Sequence, residues 1–489
     1  MSDSVATGLK TALPAGWLAE PWQEWEQLVF TLAGQAAREV IRRLYEGLDV
    51  QLAQVRDHRW RVVGFRRHTL VTPWGAVTIK RRLYRCGRHC LFLLDRLLGW
   101  VGRRSYSQAV AGLATLAASW LPFRKASELL TSLGMPLSAM TIHRLVQQVG
   151  AAIATEQANQ AGALFGWGEL PPSQEREVER LYLEADGVWI ALQREQRKRA
   201  EVWTAISYEG WQAVGRGPTR PGCRRRYRLA GKQVFSEVAT GAKGFWQRQV
   251  TALHRRYDLR AVTQWVMSGD GANWIWAGAS LFPGCIRQLD RFHLARALRT
   301  GLGPAAAEAY QACVHGQWAS LAPLWRRALR QSAAGQQAEL IRQQRAYLQG
   351  QADGLLDYRH QLPSGPECRS LGAIESNGDK LIKNRLAKRG MSWTVAGAQH
   401  MVKVLQEQAN GHLPAWLGVT PLTPVQRLPM QPFSAAHVLP LDSDLVDGDW
   451  LAARIPMLTG PGRYGPLFHA LKGAAASDRL PFFWDRILD

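Results

Sequence analysis

The chain has 489 residues, 46% of them hydrophobic, enough for two to four domains with sizeable cores and too apolar for a disordered polymer. Lys and Arg number 61 against 39 Asp and Glu, a net charge of +22, which favours a polyanionic partner, nucleic acid first. Six scattered cysteines do not make a disulfide framework, and neither a secretory signal nor a bilayer-length apolar run stands out, so the expectation is a soluble cytoplasmic protein with no membrane partner.

In chain order, residues 20–58 carry helical periodicity, and 1–60 read as an N-terminal helical region. "HTLVTPWGAVTIKRRLYRC" (68–86) alternates about a "PWG" turn and predicts a β-hairpin whose second strand is basic, with Lys80, Arg81 and Arg82 as candidate phosphate contacts. "FRKASELLTSLGMPLSAMTIHRLVQQVGAAI" (123–153) has the punctuation of a helix-turn-helix. A first helix ends near Gly134, Ser138 caps a second, and Thr141, His143 and Arg144 lie in the second helix's first turns. Residues 61–155 therefore read as a DNA-binding region. The polar, Gly/Pro-punctuated stretch 156–178 reads as a linker.

From 178 onward strands alternate with helices, which predicts a mixed α/β sheet. In "LYLEADGVWIAL" (181–192) an apolar strand carries Glu184 and Asp186 on one face with Tyr182 and Val188, and Gly187 suggests open space beside the second carboxylate. Asp270 follows another apolar strand, between Gly269 and Gly271. Residues 294–362 are almost wholly helical in pattern and read as an inserted subdomain. Glu375 opens a helix over about 373–389. At about 100° per residue it shares a face with Ile382 and Leu386, so it is expected to point into the domain.

A carboxylate buried in a strand is costly without a cation or strong donors. Asp186, Asp270 and Glu375 together make an oxygen-rich set of the kind Mg2+ or Mn2+ prefers. Two such ions about 4 Å apart would clamp the attacking and leaving oxygens of a phosphodiester. Glu184 and Asp379 are rival acidic ligands. Cys86 and Cys90, with His89 and His68 nearby, lack a second Cys/His pair at zinc spacing. Trp274, Trp276 and Trp393 lie beside the carboxylates, as core residues or as platforms for a flipped base. No phosphate-cradling Gly-rich loop appears, so nucleotide hydrolysis is not expected.

Eight short segments, in order over roughly 60–405, resemble the DDE-type insertion-sequence transposases of the ISLre type, relatives of the Mutator-like transposases. They are "HTLVTPWGAVTIKRRLY", "LLDRLLG", "SAMTIHRLV", "LYLEADGVWIALQ", "ISYEGW", "GDGANWIW", "LDRFHL" and "ESNGDKLIKNRLAKRGMSW". The resemblance implies an RNase H-like core over 178–293 plus 371–405. The helices 294–370 are then the insertion before the last acidic residue, and 406–489 is a tail of unknown role. It implies that Asp186, Asp270 and Glu375 are the catalytic, metal-binding triad. "LDRFH" matches an acidic-x-x-His signature that singles out Asp290 and His293. His293 would contact DNA at the cleavage site or hold the insertion on the core, or it is an ordinary structural histidine. Lys383, Arg385, Lys388 and Arg389 follow Glu375 as candidate backbone contacts.

The expected activity is cleavage of element ends and their joining to target DNA, with two Mg2+ or Mn2+ ions as cofactors. The expected partners are double-stranded DNA, both terminal inverted repeats and target, and further copies of the chain in a homodimer or larger assembly near the bacterial nucleoid. The alternative is a decayed or domesticated copy of the same fold that binds DNA without cutting it.

Overall fold

The computed structural model describes residues 22–100, 105–214, 226–332, 335–362, 368–388 and 390–418. The chain divides into two units, Met1–Thr420 and Pro421–Asp489, and every described residue belongs to the first. No helix among the described residues is long and apolar enough to cross a membrane.

The first unit opens with the Trp22–Val55 helix, which packs Ile41, Tyr45, Leu48 and Leu52 onto a three-stranded antiparallel sheet. Its strands are β1 (Arg61–Thr72), β2 (Gly75–Cys86) and the short β3 (His89–Leu91). The β1–β2 turn falls at Pro73–Trp74 as the sequence predicts, with Gly75 at a φ of 101° and the Thr72 hydroxyl donating to the Gly75 carbonyl. Leu70, Val77 and Ile79 face the helix.

The helix-turn-helix punctuation also holds. Phe123–Ser132 ends at Gly134, φ 77°, and Ser138 caps Ala139–Gly162 by accepting from the Thr141 amide. The second helix is not a detached reading head, however. Ile142, Val146 and Ile153 are buried in the main core against the Val395–Ala409 helix. Nor is 156–178 a linker throughout. The helix runs to Gly162, with Gln157 and Ala161 buried, and continues as a π turn over Ala163–Trp167. Polar composition hid a helix whose inward positions are small or carboxamide.

The main sheet contains β4 (Arg180–Leu192), β5 (Arg199–Tyr208), β8 (Gln233–Val238), β9 (Gln264–Gly269), β10 (Ile286–Leu289) and β11 (Ser392–Trp393). A separate hairpin of β6 (Gly210–Val214) and β7 (Arg226–Ala230) links β5 to β8. The order is β10-β9-β4-β5-β8. β5 runs antiparallel to both of its neighbours, β4 and β8, while β9 and β10 are parallel to β4, and β11 pairs only with the end of β4. Leu181, Leu183 and Ala185 pack toward the Ala242–His254 and Asn273–Ala279 helices. Val188 and Ile190 pack toward Ile382, Met401 and Val402 on the other face. The strand alternation is as predicted. The insertion is all-helical within the described residues (Arg291–Leu302, Ala306–Val314, Leu321–Gln331, Gln336–Gly350) and has its own core around Leu298 and Trp325. The folded unit reaches beyond 405: Val395–Ala409 crosses that limit, and Leu413 and Leu417 are buried in the main core.

β8 is an edge strand, and its outward amides would be open to pairing with another strand. Side chains of Val395–Ala409 and the residue after it close that edge. Gln399 Oε1 accepts from the Val238 amide at 2.7 Å, Gln406 Oε1 from Ser236 at 3.1 Å, and Asn410 Oδ1 from Val234 at 2.7 Å. The Asn410 amide returns a bond to the Val234 carbonyl at 2.8 Å. Three carboxamides thus stand in for a neighbouring strand. Gln406→Leu removes the acceptor for the buried Ser236 amide. It is expected to cost about 1–3 kcal/mol, the usual penalty for an orphaned buried donor. Denaturant unfolding monitored by circular dichroism checks this.

Candidate functional site

β9 pairs with β4 only as far as Glu184↔Ser268, and β11 joins β4 only at Ala191. Between these the β9 side of β4 is open, and Asp186 lies in that gap. Asp270 follows the last residue of β9 and Asp290 the last residue of β10, with the Asp290 amide donating to the Gly269 carbonyl at 2.8 Å. Asp270 and Asp290 thus lie at the carboxyl ends of neighbouring parallel strands, where open α/β sheets bind ligands, and Asp186, midway along β4, lies two residues past the Glu184↔Ser268 pair and level with them.

Asp186 is half-buried. Burial pushes its carboxyl above the ordinary aspartate range, the negative charge of Asp270 pushes it further, and the Gly187 amide, His293 and Lys383 oppose the rise. The Gly187 amide donates to Asp186 Oδ1 at 2.8 Å. Asp270 is braced by its own turn, its Oδ1 accepting from the Ala272 amide at 2.9 Å. The Tyr347 hydroxyl donates to the Asp270 carbonyl, and burial with the charges of Asp270 and Asp290 pushes that phenol up to about 12. Asp290 caps the insertion's first helix, accepting from the Phe292 and His293 amides at 2.9 and 3.2 Å, and so delivers His293 to the field of Asp186.

The open space expected beside Gly187 is filled. A Cβ there would sit 2.0 Å from Glu201 Oε1, and Glu201 in turn accepts from the Trp203 indole at 2.9 Å. Nor is Glu184 a free ligand. It has no exposed surface. Its Oε1 accepts from the Tyr208 hydroxyl at 2.5 Å, and its Oε2 accepts from the Gly372 and Ile374 amides at 2.9 and 3.0 Å. Burial pushes the Glu184 carboxyl up, against those three donors. Glu184 is a clamp that fastens the helix carrying Glu375 to the central strand.

Glu375 itself is exposed, against the expectation that it faces inward, and among the described residues its side chain takes no hydrogen bond or ion pair. The physical reason is in the helix. Ala373–Asn377 is α-helical, but Gly378–Ala387 is a π-helix, so a uniform 100° step does not carry Glu375 onto the Ile382–Leu386 stripe. Gly378 lies at the widening, where a Cβ would stand 3.6 Å from Val188.

Several basic candidates have structural partners instead of open faces. Arg81 is buried, ion-paired with Asp95 and stacked 3.7 Å over Phe92, and Arg82 is paired with Asp49 at 2.7 Å. Only Lys80 of that trio is exposed, its ammonium 4.7 Å above Phe65. Arg385 is buried between Phe123 and Trp393 and donates to the Ala118 carbonyl at 2.9 Å. Lys388 is tied to Asp379 at 2.8 Å, and that ion pair holds the Asp379 carboxyl low. His143 sits edge-on to Phe123 and is half-buried, the Thr141 hydroxyl pairs with Ser138, and Arg144 is exposed. Lys383 reaches the field of Asp186. Arg389 lies outside the described residues. Of the tryptophans, Trp274 is stacked 4.6 Å from Trp203, Trp393 is buried, and Trp276 donates to Gln351.

Sequence reasoning named Glu184 but missed its clamp role, and it missed Tyr347 altogether. The Glu184 role is visible only once β5 brings Tyr208 opposite, and a Tyr on a distant helix carries no local signal.

Two acidic side chains in each other's field, one of them raised by burial and by the other's charge, suit a divalent cation bound through hard oxygen ligands. Among the described residues no group of three or more His, Cys, Asp or Glu is gathered closely enough to hold a metal ion. Exposed Glu375 stands on the adjoining clamped turn.

Residues 18–416 match an uncharacterised protein family, UPF0236, and the chain belongs to that family. It is 27% identical over 406 residues to a "UPF0236 protein in vanSb 3'region" of Streptococcus gallolyticus, covering 79% of this chain and 83% of that protein.

The raised Asp186 carboxyl has a signed consequence. The folded state holds this proton more tightly than the unfolded chain does. Its contribution to stability is present below the ordinary aspartate value of 3.8 and is lost as pH rises through the raised folded value. Asp186→Asn stays neutral throughout. In metal-free buffer its melting temperature is expected to match wild type near pH 3 and exceed it at pH 7. Thermal unfolding across that range, with EDTA present, reads the crossover.

Proposed function

We propose that this protein is a DNA transposase of the DDE type, with an RNase H-like core built on β4, β5, β8, β9 and β10. The observation that carries this reading is the convergence of Asp186, midway along β4, with Asp270 just past the end of adjacent β9, the Asp186 carboxyl being raised by burial and by its neighbour's charge. A mixed sheet of three antiparallel strands, extended beyond the first by two parallel ones, supports the same reading. An all-helical insertion precedes the helix of Glu375, in agreement with the family resemblance.

Asp186, Asp270 and Glu375 would hold Mg2+ or Mn2+, which supplies charge stabilisation at the attacking and leaving oxygens of a phosphodiester. The protein's own groups do the rest. Lys383 and His293 bring cationic and hydrogen-bonding character beside Asp186, where a scissile phosphate would lie. Glu184 and Tyr347 fix the two ends of the site. In the first step water forms a P–O bond to the phosphorus, the bond to the 3′-oxygen breaks, and the element's 3′-hydroxyl is released. In the second, that hydroxyl forms a P–O bond in target DNA, and a target 3′-oxygen leaves. No covalent protein–DNA intermediate is required.

A second reading, a DNA-binding protein of the same fold that no longer cuts, is favoured by one observation: Glu375 is exposed and without a partner among the described residues. End-labelled DNA carrying the inverted repeats that flank the reading frame separates the two. The expected result is nicking that needs Mg2+ or Mn2+ and falls by about a thousandfold in Asp186→Asn, Asp270→Asn and Glu375→Gln, corresponding to a loss of about 4 kcal/mol. Cleavage that survives Asp186→Asn refutes the site. Tight end binding with no cutting in either metal establishes the second reading.

A further inference from the structure

The Trp22–Val55 helix covers one face of the β1–β2 hairpin. Leu70, Val77 and Ile79 point to it, and residues directly opposite each other share a face, so Leu70↔Val77 and His68↔Ile79 lie on the helix side. By alternation Thr69↔Thr78, Arg67↔Lys80 and Phe65↔Arg82 lie on the other side. Phe65, Arg67, Thr69, Thr78 and Lys80 are all exposed, so this outer face is open among the described residues.

Its chemistry is cationic and hydrogen-bonding. The Thr69 and Thr78 hydroxyls bond each other across the strands at 2.9 Å. The Lys80 ammonium sits 4.7 Å above the Phe65 ring, a contact that positions the charge without neutralising it. The ion pairs of this region are Arg59–Asp57, Arg81–Asp95 and Arg82–Asp49, and they leave Arg61, Arg66, Arg67, Lys80, Arg85 and Arg88 without a carboxylate partner among the described residues. The helix's own acids at the β2 edge are committed. Glu46 accepts from the Lys80 amide at 2.8 Å and pairs with Arg42, and Asp49 accepts from the Arg82 amide at 3.2 Å and pairs with the Arg82 guanidinium. Those two bonds also hold the ribbon rigidly against its helix.

Unpaired cations beside hydroxyls on a two-stranded ribbon fit a polyanion that displays hydrogen-bonding edges in a groove. Strands lie about 4.8 Å apart, and the major groove of B-DNA, about 12 Å wide, admits such a ribbon. Arg and Lys there bond O6 and N7 of guanine, and Thr meets a base edge or the thymine methyl. The helix-turn-helix offers less, because Ile142, Leu145 and Val146 of its second helix are buried in the main core and the Thr141 hydroxyl is taken by Ser138. We infer that the outer face of the β1–β2 hairpin enters the major groove of double-stranded DNA and reads bases there, Arg67 and Lys80 on guanine, Thr69 and Thr78 on the adjoining pair. The inference rests on the reading that DNA is the partner and holds whether or not the carboxylate site cuts.

Fluorescence anisotropy on the full chain tests it, with a labelled duplex carrying the inverted repeat that flanks the reading frame and a random-sequence duplex beside it. Arg67→Ala and Lys80→Ala are each expected to weaken repeat binding by about tenfold or more and to weaken random-duplex binding far less. Arg66→Ala removes the same charge from the helix side of the same strand, and repeat binding is expected to fall much less than in Arg67→Ala. The three side chains are exposed, so thermal melts of the variants should match wild type. A second measurement uses the wild type alone: methylating guanine N7, which lies in the major groove, is expected to block repeat binding at particular guanines, and Arg67→Ala to abolish that block at one of them. Equal effects of Arg66→Ala and Arg67→Ala, or interference confined to adenine N3 in the minor groove, overturn the ribbon assignment and leave DNA as the partner. A wild-type chain that binds neither duplex overturns the DNA reading and this inference with it.

Discussion

The structure turns on one buried carboxylate. Glu184 has no exposed surface, lies inside the central strand, and is stabilised by the Tyr208 hydroxyl and the Gly372 and Ile374 amides. Those three donors come from two places that the chain separates by more than a hundred residues. Desolvation of a carboxylate is repaid only when all its donors are present. The bonds therefore act as a check: the strand, β5 and the Glu375 helix must all be in place together. A helix start pinned to the strand bearing Asp186 has its position set to within a hydrogen bond, although Glu375 remains on the exposed side of that turn.

The same economy of polar groups recurs at β8. A sheet edge covered by Gln399, Gln406 and Asn410 needs those side chains at regular intervals on one helix face, and that helix is in turn packed on the core. Lys403, fully enclosed on this helix, sits 4.2 Å over Phe235, and burial lowers its ammonium to about 8. A polar layer therefore lies between sheet and helices, and the edge cover belongs to it.

Strand and hairpin periodicities were legible in the sequence because alternation of side chains is a local property of an extended chain. The faces of β4 follow from it, and the "PWG" turn and the Ser138 cap from equally local turn and capping chemistry. Three things were not legible. The phase of Glu375 depends on a π-helix that begins at Gly378, and a uniform helical step cannot anticipate it. The destinations of Arg81, Arg82 and Arg385 depend on Asp95, Asp49, Phe123 and Trp393, which come from distant segments. The continuity of the Ala139–Gly162 helix through a polar stretch depends on Gln157 finding Glu407 across the core. In each case a charge or amide that looks like a solvent-facing group is satisfied by tertiary structure.

These pairings bear on how the +22 net charge should be understood. A count of cations measures the field that guides a polyanion. It does not say which cations touch it, because a guanidinium already holding a carboxylate and an aromatic face must give up both to reach a phosphate. Lys80, Arg144 and Lys383 are better placed than Arg81 or Arg385 to make such contacts. Lys383 differs from the other two because it lies in the field of Asp186, whose ionised form burial disfavours. A phosphate approaching Asp186 without compensating charge would meet two carboxylates and be repelled. Lys383 and His293 soften that repulsion, and a divalent cation would reverse it.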